Sequence, residues 1–225
     1  MPAMTATGPT LSGREIADAA LTDWAYLQGG LHTRLPADFA TGLRLVARIG
    51  AAAEAVDHHP DLDLRYSHLD VHLVSHDVGG VTRRDLRLAR TISALAAEEG
   101  VVATPYATAV LEVALDSPDA AAVRPFWRAV LDMRETESSE GAAELRSDSL
   151  PSLWFQPSGS AEPRQHFHLD LWVAPEVVED RIAAAVAAGG ELLSAAEAPA
   201  FWVLGDADGN RVCLCTWQDR DPGPT

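Results

Sequence analysis

The chain has 225 residues, 47% of them hydrophobic, and its 33 acidic and 17 basic residues give a formal net charge of -16. So acidic a surface repels phosphate backbones, which argues against nucleic-acid binding, and the hydrophobic content is ample for packed cores. Every basic residue is arginine, which excludes Schiff-base chemistry on a lysine and a covalently held pyridoxal cofactor.

No apolar run approaches the roughly 20 residues that cross a bilayer. The first ten residues lack a basic stretch followed by an apolar one, so a cytoplasmic protein with no membrane partner is expected. Cys213 and Cys215 lie two apart in an apparent strand, with both side chains on one face. That is neither a zinc-finger spacing nor a disulfide framework.

In chain order, Trp24 to Leu27 and Leu31 to Leu35 flank Gly29-Gly30 and predict a hairpin of two short strands, with His32 on its surface. A helix follows, with Pro36 in its first turn and Phe39, Leu43, Val46, Gly50 and Ala53 as its apolar face. Residues 67–74 alternate: Leu69, Val71 and Leu73 are apolar, while Ser67, His68, Asp70 and His72 are polar. This predicts a strand with one wet face, on which His68 and His72 are solvent-facing residues rather than ligands.

Gly79-Gly80 turns the chain. Thr82 and Asp85 then form a capping box for a helix whose Leu88, Ala89, Ile92, Leu95 and Ala96 face a core. The break at Gly100 and Pro105 marks a domain boundary near residue 103, dividing the chain into 1–103 and 104–225.

Beyond the boundary an internal repeat appears at an offset of 58: Leu111, Val113 and Leu115 match Leu169, Leu171 and Val173. The first helix carries Val123, Phe126, Trp127 and Val130, and the second carries Val178, Ile182, Ala185 and Val186 before Gly189-Gly190. Three strand-like segments follow each helix. Both halves therefore read as strand, helix, strand, strand, strand, and the fold class is α+β.

The densest polar cluster is Glu54, His58-His59-Pro60, Tyr66, His76-Asp77, Gly79-Gly80 and Asp85. Imidazoles at neutral pH both give and take protons, so three on one short stretch can supply a matched acid and base. Adjacent histidines seldom point at one metal, which disfavours a zinc reading of the same residues.

The run from Ala53 to Ala89 resembles the signature of pterin-4a-carbinolamine dehydratases, and the resemblance covers about residues 11–99. It rests on the acidic residue four before the first histidine, the His-His-Pro, Tyr66, the Ser75-His76-Asp77 step, Gly80 and the Thr-x-x-Asp helix start. The resemblance implies a small antiparallel-sheet domain with hydro-lyase activity. That activity dehydrates 4a-hydroxytetrahydrobiopterin to the quinonoid dihydropterin without a metal or other cofactor. It further implies that His58 and His76 serve as acid and base in either order and that His59 positions the ligand. Glu54, Tyr66, Asp77 and Asp85 would support the substrate, with capping the first reading of Asp85. A homodimer is expected, and the alternative for this domain is a non-catalytic pterin-binding or dimerising module.

Residues 107–217 resemble the vicinal-oxygen-chelate domains of the glyoxalase and bleomycin-resistance superfamily, built from paired βαβββ modules. The residues that carry this are Phe126-Trp127, Val130-Leu131, the stretch from Arg164 to Asp170, and Asp206-x-Asp208-Gly209-Asn210. Metal-dependent members take one ligand from the first and last strand of each module. Here His168 fits the third position, Cys213 the last, and Val110 and Phe155, which cannot ligate, the other two. A register slip would offer Glu112 or Gln156. The expectation is no metal, with His168 and Glu112 the candidates if one binds, and an apolar pocket lined by Trp154, Trp172 and Trp202. A metal-dependent lyase or dioxygenase in this half is the remaining alternative.

Overall fold

The computed structural model describes residues 8–131, 133–137, 143–148, 150–158, 167–205 and 211–220. The Asp206 to Asn210 turn, Arg164, and the side chains of Phe126, Val130 and Leu131 lie outside the described residues. The chain divides into two compact units, residues 1–108 with 217–225 and residues 109–216. In the first unit the indole of Trp217 covers Gly13, where a β-carbon would meet its ring at 2.7 Å.

The first unit runs α1 (Gly13–Asp18), β1 (Ala25–Leu27), β2 (Gly30–Pro36), α2 (Phe39–Val56), β3 (Asp61–Leu64), β4 (His68–Leu73) and α3 (Arg83–Glu98). Its sheet has the order β1-β2-β4-β3 and is antiparallel throughout. Gly29 takes φ 79, the left-handed conformation that a tight hairpin needs.

Leu31, Leu35, Leu69, Val71 and Leu73 pack one face of the sheet against Leu45, Ile49 and Ala53 of α2 and Leu88, Ala89 and Ile92 of α3. The other face carries the alternate, polar residues. There Arg34 grips Asp70 with two parallel hydrogen bonds of 2.7 Å, a pairing suited to the guanidinium fork.

Three sequence expectations are corrected in this unit. Pro36 ends β2, and the helix starts later, where the Asp38 side chain accepts from the Thr41 backbone N–H at 2.7 Å. The buried face of α2 is Gly42, Leu45, Ile49 and Ala53, whereas Phe39 and Leu43 are half exposed. The helix carries two apolar stripes, and packing chose the one with the smaller residues at its ends. Leu64 comes so close to Gly42 that a β-carbon there would meet its side chain at 2.5 Å.

His32, lastly, is half-buried rather than fully exposed on the hairpin surface. It pairs with His72 across β2 and β4, their rings stack with centroids 4.4 Å apart, and burial with the neighbouring His72 pushes its pKa down to about 3.

The second unit contains β5 (Val110–Ser117), α4 (Ala120–Leu131), β6 (Arg134–Glu137), β7 (Ala143–Arg146) and β8 (Ser152–Pro157). The same sequence of elements then recurs as β9 (Phe167–Trp172), α5 (Pro175–Ala187), β10 (Glu191–Ser194), β11 (Phe201–Gly205) and β12 (Arg211–Cys215). The eight strands form one sheet in the order β10-β11-β12-β9-β5-β8-β7-β6. The two modules meet at the centre, where β5 and β9 run antiparallel with Leu111 opposite Leu171 and Val113 opposite Leu169.

The paired βαβββ architecture is therefore present as expected, and the whole chain is α+β. Val113, Leu115, Leu153 and Phe155 face α4 through Val123 and Trp127, while Leu171, Trp202, Leu204 and Leu214 face α5 through Val178 and Ile182. Val186, expected in the α5 face, is instead 45% exposed.

Candidate active site

Helix α2 ends on Asp57 in the left-handed conformation, φ 49 and ψ 48, which an aspartate tolerates better than most side chains. The His58 N–H reaches back to the Ala53 carbonyl at 3.2 Å, closing the helix with a six-residue turn, and Pro60 stops it from continuing. This ending drops the His58 ring into the interior, at 7% exposure.

The partner of His58 is Asp85, which is fully buried, and their Nε2 to Oδ1 distance is 2.7 Å. The second oxygen of Asp85 accepts from the Thr82 N–H at 2.7 Å, the Thr82 hydroxyl at 3.1 Å and the Ser75 hydroxyl at 2.6 Å. The helix cap and the contact with His58 thus use different oxygens of one carboxylate. Three donors therefore converge on one oxygen at the N-terminus of α3. A carboxylate at Nε2 fixes the proton there, leaving Nδ1 as the nitrogen that can take one up.

Ser75 also carries the site to His76. The stretch after β4 folds into a turn held by Ser75 N–H to the Gly80 carbonyl at 3.0 Å and by Gly79 N–H to the Ser75 carbonyl at 2.9 Å. Asp77, next to His76, accepts from Arg84 of α3 at 2.6 Å. The turn is therefore pinned to α3 on both sides of His76, whose side chain is exposed. Asp85 links these elements: it holds His58 with one oxygen and the residue before His76 with the other.

His59 is exposed and contacts Glu54 at 3.1 Å, and both side chains are more than half in solvent. Such a pair orients a ring but adds little stability. Tyr66 is placed elsewhere. It sits in the β3–β4 turn at 91% exposure, whereas the register Asp61 with His72 and Leu64 with Leu69 puts His58 and His76 at the opposite end of that hairpin. Sequence reasoning did not single out Ser75 and Thr82 as parts of the site, although the Thr82-x-x-Asp85 capping box pointed to their neighbourhood.

In the second unit the strand register settles which side chains share a face. Glu112, Ala114 and Asp116 of β5, Ser152, Trp154 and Gln156 of β8, His168, Asp170 and Trp172 of β9, and Cys213 of β12 stand opposite the helices. Phe155, the second-position residue at an offset of 58, is turned to α4 instead. Of the three tryptophans, Trp154 and Trp172 lie on the helix-free face, and Trp202 is core.

Burial raises the pKa of Glu112, against the hydrogen bonds it accepts from Trp172 Nε1 at 2.6 Å and Ser152 Oγ at 2.9 Å. The residues do not fit the metal set of one ligand per inner strand. Val110 has no donor and Phe155 faces away, while Glu112 of β5 and Gln156 of β8, two positions and one position further on, stand on the helix-free face.

Residues 9–95 match the family model described as pterin 4 alpha carbinolamine dehydratase, and residues 112–215 match a glyoxalase-like domain. A protein of Metallosphaera sedula described as "Putative pterin-4-alpha-carbinolamine dehydratase" is 40% identical over 90 residues, covering 39% of this chain and 94% of that protein. A protein of the same description from Mycobacterium leprae strain TN is 40% identical over 86 residues, covering 36% and 90%.

Among solved structures, a transcriptional coactivator/pterin dehydratase from Brucella melitensis is 31% identical with a TM-score of 0.38, covering 39% of this chain and 99% of its own. A glyoxalase/bleomycin resistance protein/dioxygenase superfamily member from Vibrio splendidus 12B01 is 16% identical with a TM-score of 0.35, covering 48% and 99%. By its residues 9–95 the chain belongs to the pterin 4 alpha carbinolamine dehydratase family, and by residues 112–215 it carries a glyoxalase-like domain as well.

Proposed function

We propose that the first unit dehydrates a 4a-hydroxytetrahydropterin, the tetrahydrobiopterin carbinolamine being the leading substrate, with His58 as base and His76 as acid. The observation that carries this reading is the buried His58 to Asp85 contact, joined through Ser75 to the turn that presents His76. Loss of the 4a-hydroxyl as water needs a proton delivered to the departing oxygen and another taken from a ring nitrogen.

His58 suits the second task. Asp85 holds its Nε2 proton and stabilises the imidazolium that forms when Nδ1 takes up a second one. His76, exposed on an anchored turn, suits the first, because it can be reprotonated from solvent between turnovers. His59 and Glu54 beside them contact and orient the pterin, and so does Asp77. The chemistry is carried by these side chains alone.

Each proton transfer is worth roughly 10²–10⁴-fold. Purified full-length protein is therefore expected to accelerate the decay of chemically generated 4a-hydroxytetrahydropterin far above buffer, followed by its ultraviolet absorbance. A decay rate equal to that in buffer, from folded protein, would refute the assignment.

A further inference from the structure

We propose that Trp217, which lies outside both matched stretches, is a positioning residue for the turn that presents His76 and acts on it through α1. The kinetic side of this inference rests on the dehydratase reading above, and the structural side rests on packing alone.

The chain leaves the first unit after Thr108 and returns to it at Trp217. Thr216, just before the return, is fully buried, its N–H donating to the Ala200 carbonyl at 2.9 Å and its hydroxyl to the Pro199 carbonyl at 2.5 Å. The next side chain is the indole that lies over Gly13. Three of its ring carbons stand within 3.4 Å of the place a Gly13 β-carbon would take, so only glycine fits beneath the ring.

Helix α1 is six residues long, too short to persist by its own hydrogen bonds. Its supports are the Ser12 and Glu15 capping box, the burial of Ile16 and the indole above Gly13. The residues that lead into α1 reach the His76 turn. Leu11 N–H donates to the Val81 carbonyl at 2.7 Å, and the Thr10 methyl stands 3.0 Å from the place of a Gly80 β-carbon.

Gly80 and Val81 form the closing arm of that turn, because the Gly80 carbonyl accepts from Ser75 N–H. Residues 10 and 11 are thus a third anchor of the turn, beside Asp85 on Ser75 and Arg84 on Asp77. The His76 side chain is exposed, so its place is set by the backbone of the turn. A shift of about 1 Å in a reacting group costs up to roughly 10²-fold in rate. An indole that holds α1 in place therefore bears on the acid of the proposed reaction.

A double-mutant cycle in the full-length protein tests this, with turnover of chemically generated 4a-hydroxytetrahydropterin read beside amide hydrogen exchange. Trp217→Ala should lower kcat roughly 10–100-fold with KM within about threefold of wild type, and Trp217→Phe should restore most of the loss. In a His76→Ala background the same change should cost less than about twofold, since a group already removed cannot be displaced. The Ser75 and Gly79 amides, both bonded in the turn, should exchange roughly tenfold faster in Trp217→Ala, beyond any change at the buried Ile49.

Gly13→Ala, which helix propensity alone would favour, should speed the same two amides, because its methyl takes the place of the ring. It decides alone should Trp217→Ala not fold. Native exchange at Ser75 and Gly79 in either folded variant overturns the proposal, and so does an equal loss of kcat in the wild-type and His76→Ala backgrounds. A wild type that does not accelerate the reaction, with exchange still faster in Trp217→Ala, upholds the positioning of the turn and refutes the dehydratase reading instead.

Discussion

Asp85→Asn is the perturbation that separates the two duties of this residue. The amide keeps the shape and one oxygen. Turned to preserve the helix cap, it directs that oxygen at the Thr82 N–H, 2.7 Å away in the native protein, and its NH2 at His58 Nε2. Two donors cannot face each other, so the imidazole must move its proton to Nδ1, the nitrogen proposed to act as base. The expected loss in kcat is roughly 10²–10⁴-fold, the value of one general base.

Exchanging a charged acceptor for a neutral one at a fully buried site also costs about 1.5–3 kcal/mol of stability. The two effects are measured separately, turnover by stopped-flow absorbance at a temperature where the variant is folded and stability by urea unfolding. A folded Asp85→Asn variant with native kcat and an unchanged pH profile would refute the reasoning.

Three further outcomes are expected. Tyr66→Ala, at the far end of the β3–β4 hairpin, should leave kcat and KM within twofold of wild type in the same assay. Ile49→Ala empties a fully buried position between α2 and the sheet and should lower the stability of the first unit by about 2–5 kcal/mol in urea melts. His32 has a folded pKa near 3 against 6.5 for a free imidazole, so its neutral form is the one the fold accepts. Its contribution is complete above pH 6.5 and is lost as pH falls towards 3. Wild type should therefore lose more stability than His32→Gln between pH 6.5 and 4, and parallel declines would contradict this.

Local signals in the sequence located much of the fold. The alternation through residues 67–74, the Gly-Gly hairpin and the Thr82 to Asp85 capping box each depend on neighbours a few positions apart, and each stands in the structure. Strand β3 went unseen because Asp61-Leu62-Asp63-Leu64 is only four residues long and looks like a polar loop. Helix α1, six residues long, escaped for the same reason, although Ser12 and Glu15 cap it.

The α2 face was misread because a helix with two apolar stripes does not say which one the sheet will cover. The histidines were legible as chemistry, but the role of Asp85 depends on a contact 27 positions away in the chain, which no local pattern encodes. In the second unit the 58-residue offset aligned β5 with β9 and failed at β8, where Phe155 turns to the helix. The true grouping on the helix-free face follows from strand pairing alone.

The most direct test of the central claim compares wild type, His58→Ala and His76→Ala in the turnover of chemically generated 4a-hydroxytetrahydropterin. Acceleration by wild type that each variant loses by roughly 10²-fold or more, with both variants folded, is the predicted result. Full activity in either folded variant would contradict the assignment of that histidine as acid or base.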